Sequence, residues 1–184
     1  MLADGARMRT PILKTARLSL VAASASLLRT ELACREAFAL EIGADIPAGW
    51  PPPLYERQNI QWALDQLIRE PSAEGWLTWF WLRNTGTKPL VVGLGGFKGK
   101  PSPFGVVEIG YTVITDFQGQ GIATEAVTAL VEWAFRYPEV AKVVAETLPE
   151  LPASVRVLRK CGFEFVGNGS DIEVLRFERK RANE

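Results

Sequence analysis

One segment constrains this chain more than any other. Between Glu108 and Glu125 it reads EIGYTVITDFQGQGIATE: a β-forming run enters a turn carrying Gly119 and Gly121, and a helical pattern opens at once. A strand delivered this directly into a helix leaves the first helical N–H groups without intrahelical partners and aims the positive dipole end outward. An anion is the natural occupant. The glycines let it come close, so phosphate oxygens can rest on the amides of Gln118, Gly119, Gln120, Gly121, Ile122, Ala123 and Thr124. Two common phosphate motifs are excluded. A Walker loop needs Lys followed by Ser or Thr where Ile122 and Ala123 stand. A dinucleotide fingerprint needs three glycines before a helix and an acidic residue about 20 positions on; the segment carries only the first part, and the cluster Gly93 to Gly96 precedes no helix.

Around this segment the pattern sorts into elements. Ile12 to Val21 reads as a first strand, and Leu27 to Ile42 as a helix through Leu28, Leu32, Phe38, Ala39 and Ile42. Gly43 to Leu54 is a loop, and Glu56 to Arg69 a second helix with Pro71 beyond its end. Trp76 to Arg83, Leu90 to Phe97 and Val106 to Ile114 read as three antiparallel strands, because their links are too short for helical crossovers. Helix Ile122 to Tyr137, strand Val140 to Thr147, helix Pro152 to Lys160 and strands Phe163 to Val166 and Ile172 to Phe177 complete the chain. The order β, α, α, three β, α, β, α, β, β predicts an α+β, mixed α/β sheet of seven strands in a single domain spanning residues 1–184.

Composition narrows the chemistry. There is no histidine among the 184 residues. Imidazole bases, Ser-His or Cys-His nucleophiles and His-ligated zinc are therefore excluded, and a general base must be a carboxylate, an amine or water. The 21 basic and 21 acidic residues balance and are evenly spread, so no electrostatic footprint for nucleic acid exists. Cys34 and Cys161 form no CxxC pair; two free buried thiols in a reducing compartment, and no metal, are expected. No apolar run reaches the roughly 18 residues of a membrane span, and Met1 to Thr10 carries Asp4 and no signal-peptide core, which predicts a cytoplasmic protein without a membrane partner.

Four motifs then stand in order. The pattern Gln/Arg-x-x-Gly-x-Gly/Ala occurs as Gln118, Gly119, Gln120, Gly121, Ile122, Ala123; EIGY occurs at Glu108 to Tyr111, continuing later into the Gly-x-x-Thr-Glu-Ala run at Gly121 to Ala126. The element Ala-Ser-x-Arg-Val-Leu-x-Lys-x-Gly-Phe occurs at Ala153 to Phe163, and Thr-x-Arg-Leu-x-Leu at Thr15 to Leu20. In these the chain resembles the GNAT superfamily of acyl-CoA N-acyltransferases, most closely the branch of ribosomal-protein serine and alanine N-acetyltransferases. The resemblance runs from about Thr15 to Gly167. It implies a splayed, mostly antiparallel sheet with flanking helices, holding acetyl-CoA as cosubstrate between the strands at 106–114 and 140–147. The pyrophosphate would lie on the amides of residues 118–124, and the pantetheine arm would pair with backbone near Val113 by strand addition. It further implies acetyl transfer to a primary amine, a protein N-terminus or a small molecule, by direct attack in a ternary complex. The protein would be a monomer or homodimer.

Two residues are candidates for proton chemistry. Glu108 shares a strand face with Val106, Gly110 and Thr112, and the glycine leaves room for a substrate. A substrate ammonium of pKa about 8 to 10.4 must lose a proton before attack, and a carboxylate can take it directly or through water; a strand glutamate paired with an arginine is the bland alternative. Ser154, at the start of a short helix, matches a family residue near the CoA sulfur that protonates the departing thiolate; a first-turn capping hydroxyl is its bland alternative. Leu158 stands where many family members have a tyrosine, and Leu151 where an asparagine is usual, which keeps open a CoA-binding or interaction domain without turnover. Tyr111, pointing opposite Glu108, reads as core. Trp50 and Pro51 to Pro53 are implied to wall the acceptor site, while the strand tryptophans fill the core.

Overall fold

Burial along the strand Thr78–Arg83 explains why this sequence makes a sheet covered on both faces. Trp79 and Trp81 are buried on one side, Phe80 and Leu82 on the other, which is why the strand reads as continuously apolar rather than alternating. The computed structural model describes residues 10–182. Met1–Arg9, read above for a targeting segment, lie outside them.

In chain order the described elements are β1 (Ile12–Lys14), β2 (Leu18–Ala22), α1 (Ala25–Ala33), α2 (Arg35–Ile42), α3 (Arg57–Arg69), β3 (Thr78–Arg83), β4 (Leu90–Phe97), β5 (Val106–Val113), α4 (Ile122–Ala134), β6 (Lys142–Thr147), α5 (Pro152–Lys160), β7 (Glu164–Asn168) and β8 (Leu175–Lys180). The sheet order is β1-β2-β3-β4-β5-β6-β8-β7, with every pair antiparallel except β5 and β6. That parallel pair is joined by α4, as a parallel connection requires a crossover. One apolar cluster packs α4 and α5 on one sheet face through Val127, Leu130, Val131 and Leu158. A second packs α1 to α3 on the opposite face through Leu28, Phe38, Leu64 and Leu67.

The mixed, mostly antiparallel sheet is as expected, with eight strands in place of seven. The single strand read over Ile12 to Val21 is a hairpin in which Leu13 pairs with Leu20. Its turn is held by Thr15, whose amide donates to the Leu18 carbonyl at 2.9 Å and whose hydroxyl accepts from the Leu18 amide at 3.0 Å, a Ser/Thr turn that overrides strand patterning. The helix read over Leu27 to Ile42 is two helices. Cys34 between them is extended, and its sulfur accepts from the Ala37 amide at 3.4 Å as the cap of α2. Cys34 is therefore exposed, against the expectation of two buried thiols; Cys161 is buried.

Strands β5 and β6 diverge. Their register runs from Val106 opposite Lys142 to Ile109 opposite Ala145 and stops, while β5 continues beside β4 as far as Val113 opposite Gly93. The Ile114 amide donates to Val92 on the β4 side, so by strand alternation the backbone groups of Tyr111 and Val113 face the opposite side, into the gap. An open strand edge thus lies next to the loop that starts α4.

Candidate active site

Three structures meet at that gap: the loop before α4, the open edge of β5 and the first turn of α5. In the loop, Gly119 and Gly121 take φ values of +74° and +78°, left-handed conformations that glycine adopts without steric penalty. No carbonyl among the described residues accepts from the amides of Gly119 to Thr124; the first helical bond runs from the Glu125 amide to the Gly121 carbonyl. Six consecutive donors at a helix N-terminus make an anion cradle. The Gln118 amide is engaged with the Thr115 carbonyl at 3.2 Å, and its side chain donates to the Val113 carbonyl at 3.0 Å. Gln118 therefore braces the loop against β5, and the free run begins at Gly119.

A clamp from the β1-β2 turn holds this loop. The Glu125 carboxylate accepts from the Thr15 hydroxyl at 2.5 Å, the Arg17 amide at 2.9 Å and Arg17 Nε at 2.7 Å. A second guanidinium nitrogen donates to the Gln120 carbonyl at 3.0 Å, which ties the loop to the β1-β2 turn. Burial works to raise the Glu125 carboxyl, but the hydrogen bonds from Thr15 and Arg17 outweigh it and hold it below the ordinary glutamate value. The Arg83 guanidinium adds a bond to the Gln120 side chain at 3.1 Å.

Across the gap, the half-buried Tyr111 hydroxyl lies 3.1 Å from Ser154 Oγ and donates to the Ser154 carbonyl at 3.2 Å. Burial pushes this hydroxyl up to about 12, so it stays protonated. Tyr111 packs against the α4 and α5 core as expected, yet its polar end reaches a candidate site residue. Leu158 is fully buried in that core and Leu151 is exposed.

Glu108 lies on the other face of β5, and no hydrogen bond joins it to Ser154. It pairs with Lys98, not with an arginine, and the Lys98 amide donates to the Glu108 carbonyl at 2.9 Å. Beside this pair is a cleft of about 410 Å³ between α3 and strands β3 to β5, walled by Leu54, Tyr55, Trp62, Leu94 and the bare backbone of Gly110. A Cβ placed on Gly110 meets nothing within 4 Å. The Thr112 hydroxyl donates to the Pro53 carbonyl at 2.9 Å, so the proline loop bounds the cleft at that end. Trp50 instead packs against Phe38, Tyr55 and Phe80. Beneath the wall, the Tyr55 hydroxyl donates to Glu31 at 3.0 Å, while the other Glu31 oxygen is buried without a partner. Burial raises this carboxyl to about 8.

The model of the acetyltransferase (GNAT) domain matches residues 27–164. The chain belongs to the GNAT acetyltransferase family. YjdG of Bacillus subtilis, an uncharacterized N-acetyltransferase, is 25% identical over 123 residues, which are 67% of this chain and 71% of that protein. Among solved structures, the ribosomal-protein-S5-alanine acetyltransferase of Vibrio fischeri superposes with a TM-score of 0.62 at 17% identity, covering 92% of this chain and 96% of that one. The microcin C7 self-immunity acetyltransferase MccE, solved with acetyl-CoA and AMP, gives 0.63 at 17%, covering 91% and 94%. At such identities these structures share the fold. Thr15, Arg17 and Glu125 all stood inside the motifs read from the sequence, but nothing in the sequence signalled that they pair. Lys98 had no signal until the β4-β5 register set it opposite Glu108. Among the described residues no group of three or more acidic or cysteine side chains is placed to hold a metal, and no helix is long and apolar enough to cross a membrane.

Proposed function

We propose that this GNAT acetyltransferase moves an acetyl group from acetyl-CoA to a primary amine by direct attack in a ternary complex. The observation that carries the reading is the run of six unpartnered amides, Gly119 to Thr124, beside the open edge of β5. Such a cradle suits a pyrophosphate, and the gap-facing backbone groups of Tyr111 and the Val113 amide suit an amide-bearing arm. Bound there, the cosubstrate supplies an activated thioester.

The protein then supplies placement and proton handling. Glu108, on the cleft face, receives the proton of the incoming ammonium directly or through water, so that the neutral amine attacks the carbonyl carbon. The C–N bond forms as the C–S bond breaks, and the nitrogen gives up its second proton to water, which returns to Ser154 the proton it passes to the sulfur. Ser154 Oγ donates to the leaving sulfur and Tyr111 supports Ser154; a thiol of pKa about 8.5 leaves with modest help. Holding amine and thioester in one geometry accounts for most of the rate.

Calorimetric titration with acetyl-CoA, followed by thiol release with a panel of amines, tests this. Binding with amine-dependent thiol release is expected, and Glu108→Gln should lower kcat while leaving acetyl-CoA affinity in place. Absence of binding at high micromolar acetyl-CoA would overturn the reading, and binding without turnover on any amine would favour a non-catalytic CoA-binding domain.

A further inference from the structure

The cleft beside Glu108 carries one charged residue among its described lining side chains, and that residue is Lys98. Lys98 and Glu108 neutralise each other across β4 and β5, with side-chain exposures of 61% and 26%. A pair this accessible to water is worth about 0–1 kcal/mol, so either member exchanges its partner readily. The charge pattern decides what can take part in that exchange. A plain ammonium arriving at Glu108 displaces Lys98 and leaves it without a counter-charge. A polyamine does so too, and finds no carboxylate among the lining side chains for its second ammonium. A peptide N-terminus offers Lys98 only a neutral carbonyl. An α-amino acid, with its ammonium and carboxylate on one carbon, replaces the internal pair charge for charge.

The walls select the rest of the molecule. Tyr55, Trp62 and Leu94 present apolar and aromatic surface, and the absent side chain at Gly110 leaves the floor open. A volume of about 410 Å³ sits at the low end of small-molecule sites, about 300 to 1,000 Å³. Among the cleft's polar side chains, Thr112 is bonded to Pro53, and Asn59 caps α3 by accepting from the Glu56 amide at 2.7 Å. The Thr78 hydroxyl and the Asn59 amide nitrogen are the uncommitted polar groups of the lining.

We infer that the acceptor is a free α-amino acid with a bulky apolar side chain, its ammonium at Glu108, its carboxylate at Lys98 and its side chain between Trp62 and Leu94. The inference rests on the acetyltransferase reading, and the experiment separates the two. Thiol release is measured with L-phenylalanine, L-phenylalaninamide, 2-phenylethylamine, spermidine and a tripeptide beginning with phenylalanine, with acetyl-CoA affinity determined in parallel. Phenylalanine should exceed its amide and the decarboxylated amine in kcat/KM by up to about 5-fold, the worth of one solvent-accessible ion pair. Lys98→Met should collapse that ratio through KM, and Lys98→Glu should reverse it in favour of the amide; unchanged acetyl-CoA affinity confirms that both variants are folded. Equal or faster turnover of the amide, the tripeptide or spermidine, or a preference that survives Lys98→Met, overturns the amino-acid assignment and leaves the acetyltransferase reading standing. Failure to bind acetyl-CoA overturns both.

Discussion

Glu125→Ala removes the acceptor that joins the β1-β2 turn to the loop before α4. Three hydrogen bonds are lost at once, from the Thr15 hydroxyl, the Arg17 amide and Arg17 Nε. Bonds to a carboxylate contribute about 1.5–3 kcal/mol each. The Arg17 ion pair is discounted to about 0–1 kcal/mol because its side chain is 47% exposed, whereas Glu125 is 17% exposed. Allowing for non-additivity among contacts on one group, the loss should be about 3–5 kcal/mol, or a fall in Tm of about 10 °C for a domain of this size. The pH dependence has a definite sign. Hydrogen bonds hold the folded Glu125 below its ordinary value of 4.5, so the unfolded state binds more protons in that region. The stabilisation is complete above about pH 5.5 and is lost as pH falls through 4.5 and below. Urea denaturation of wild type, Glu125→Ala and Glu125→Gln from pH 3 to 8 measures this. The wild type and Glu125→Gln should converge in acid and separate near neutrality. A loss below about 1 kcal/mol at pH 7, or a gap that does not narrow in acid, would refute the account of the clamp. Because Arg17 also holds the Gln120 carbonyl, the alanine variant should weaken acetyl-CoA binding as well; unchanged affinity would sink that part.

Other outcomes follow from single features. Glu31 is raised by burial to about 8 from 4.5, so its folded form binds the extra proton and stability declines as pH rises between those values. Glu31→Gln should flatten that decline and stabilise the protein by several kcal/mol at pH 8, each pH unit counting about 1.4 kcal/mol; a parallel pH profile in the two proteins would contradict it. Gly110→Leu places a side chain in open space on the cleft face, and should raise KM for the amine by an order of magnitude or more with acetyl-CoA affinity retained; an unaffected amine KM would mean the acceptor binds elsewhere. Tyr111→Phe removes the hydroxyl 3.1 Å from Ser154 Oγ and should reduce kcat about as much as Ser154→Ala does, with the double variant no worse than either single one. Additive losses would show that the two hydroxyls act independently.

The extent of the fold that was legible in the sequence follows the range of the forces involved. β3, β4 and β5 were plain because short β-forming apolar runs joined by short links are local signals, and α4 because its stripe repeats at helical spacing. The hairpin at Thr15 to Leu18 was missed because a side-chain hydroxyl closed the turn inside an otherwise strand-like run, and the break at Cys34 because an extended residue with a thiol cap interrupts a pattern that favours continuity. At the site, Glu108, Ser154 and the glycine loop were legible as motif positions. Lys98 and the Tyr111 hydroxyl contact were not, since each depends on a partner set by register or by the packing of α5 on β5.

By itself, then, the sequence determined the local parts of this acetyltransferase. Glycines at 119 and 121 and a helix opening at Ile122 dictate a donor-rich loop wherever the segment finds itself, because φ freedom and unpaired first-turn amides belong to the chain. Tertiary structure alone decided what those parts face. It brought Arg17 to Glu125 across 108 positions, set Glu108 against Lys98 rather than an arginine, and separated β5 from β6 beyond Ile109. Such pairings depend on strand register and on how helices seat on the two sheet faces, which are settled by burying two apolar clusters at once and leave no trace in the spacing of any one segment.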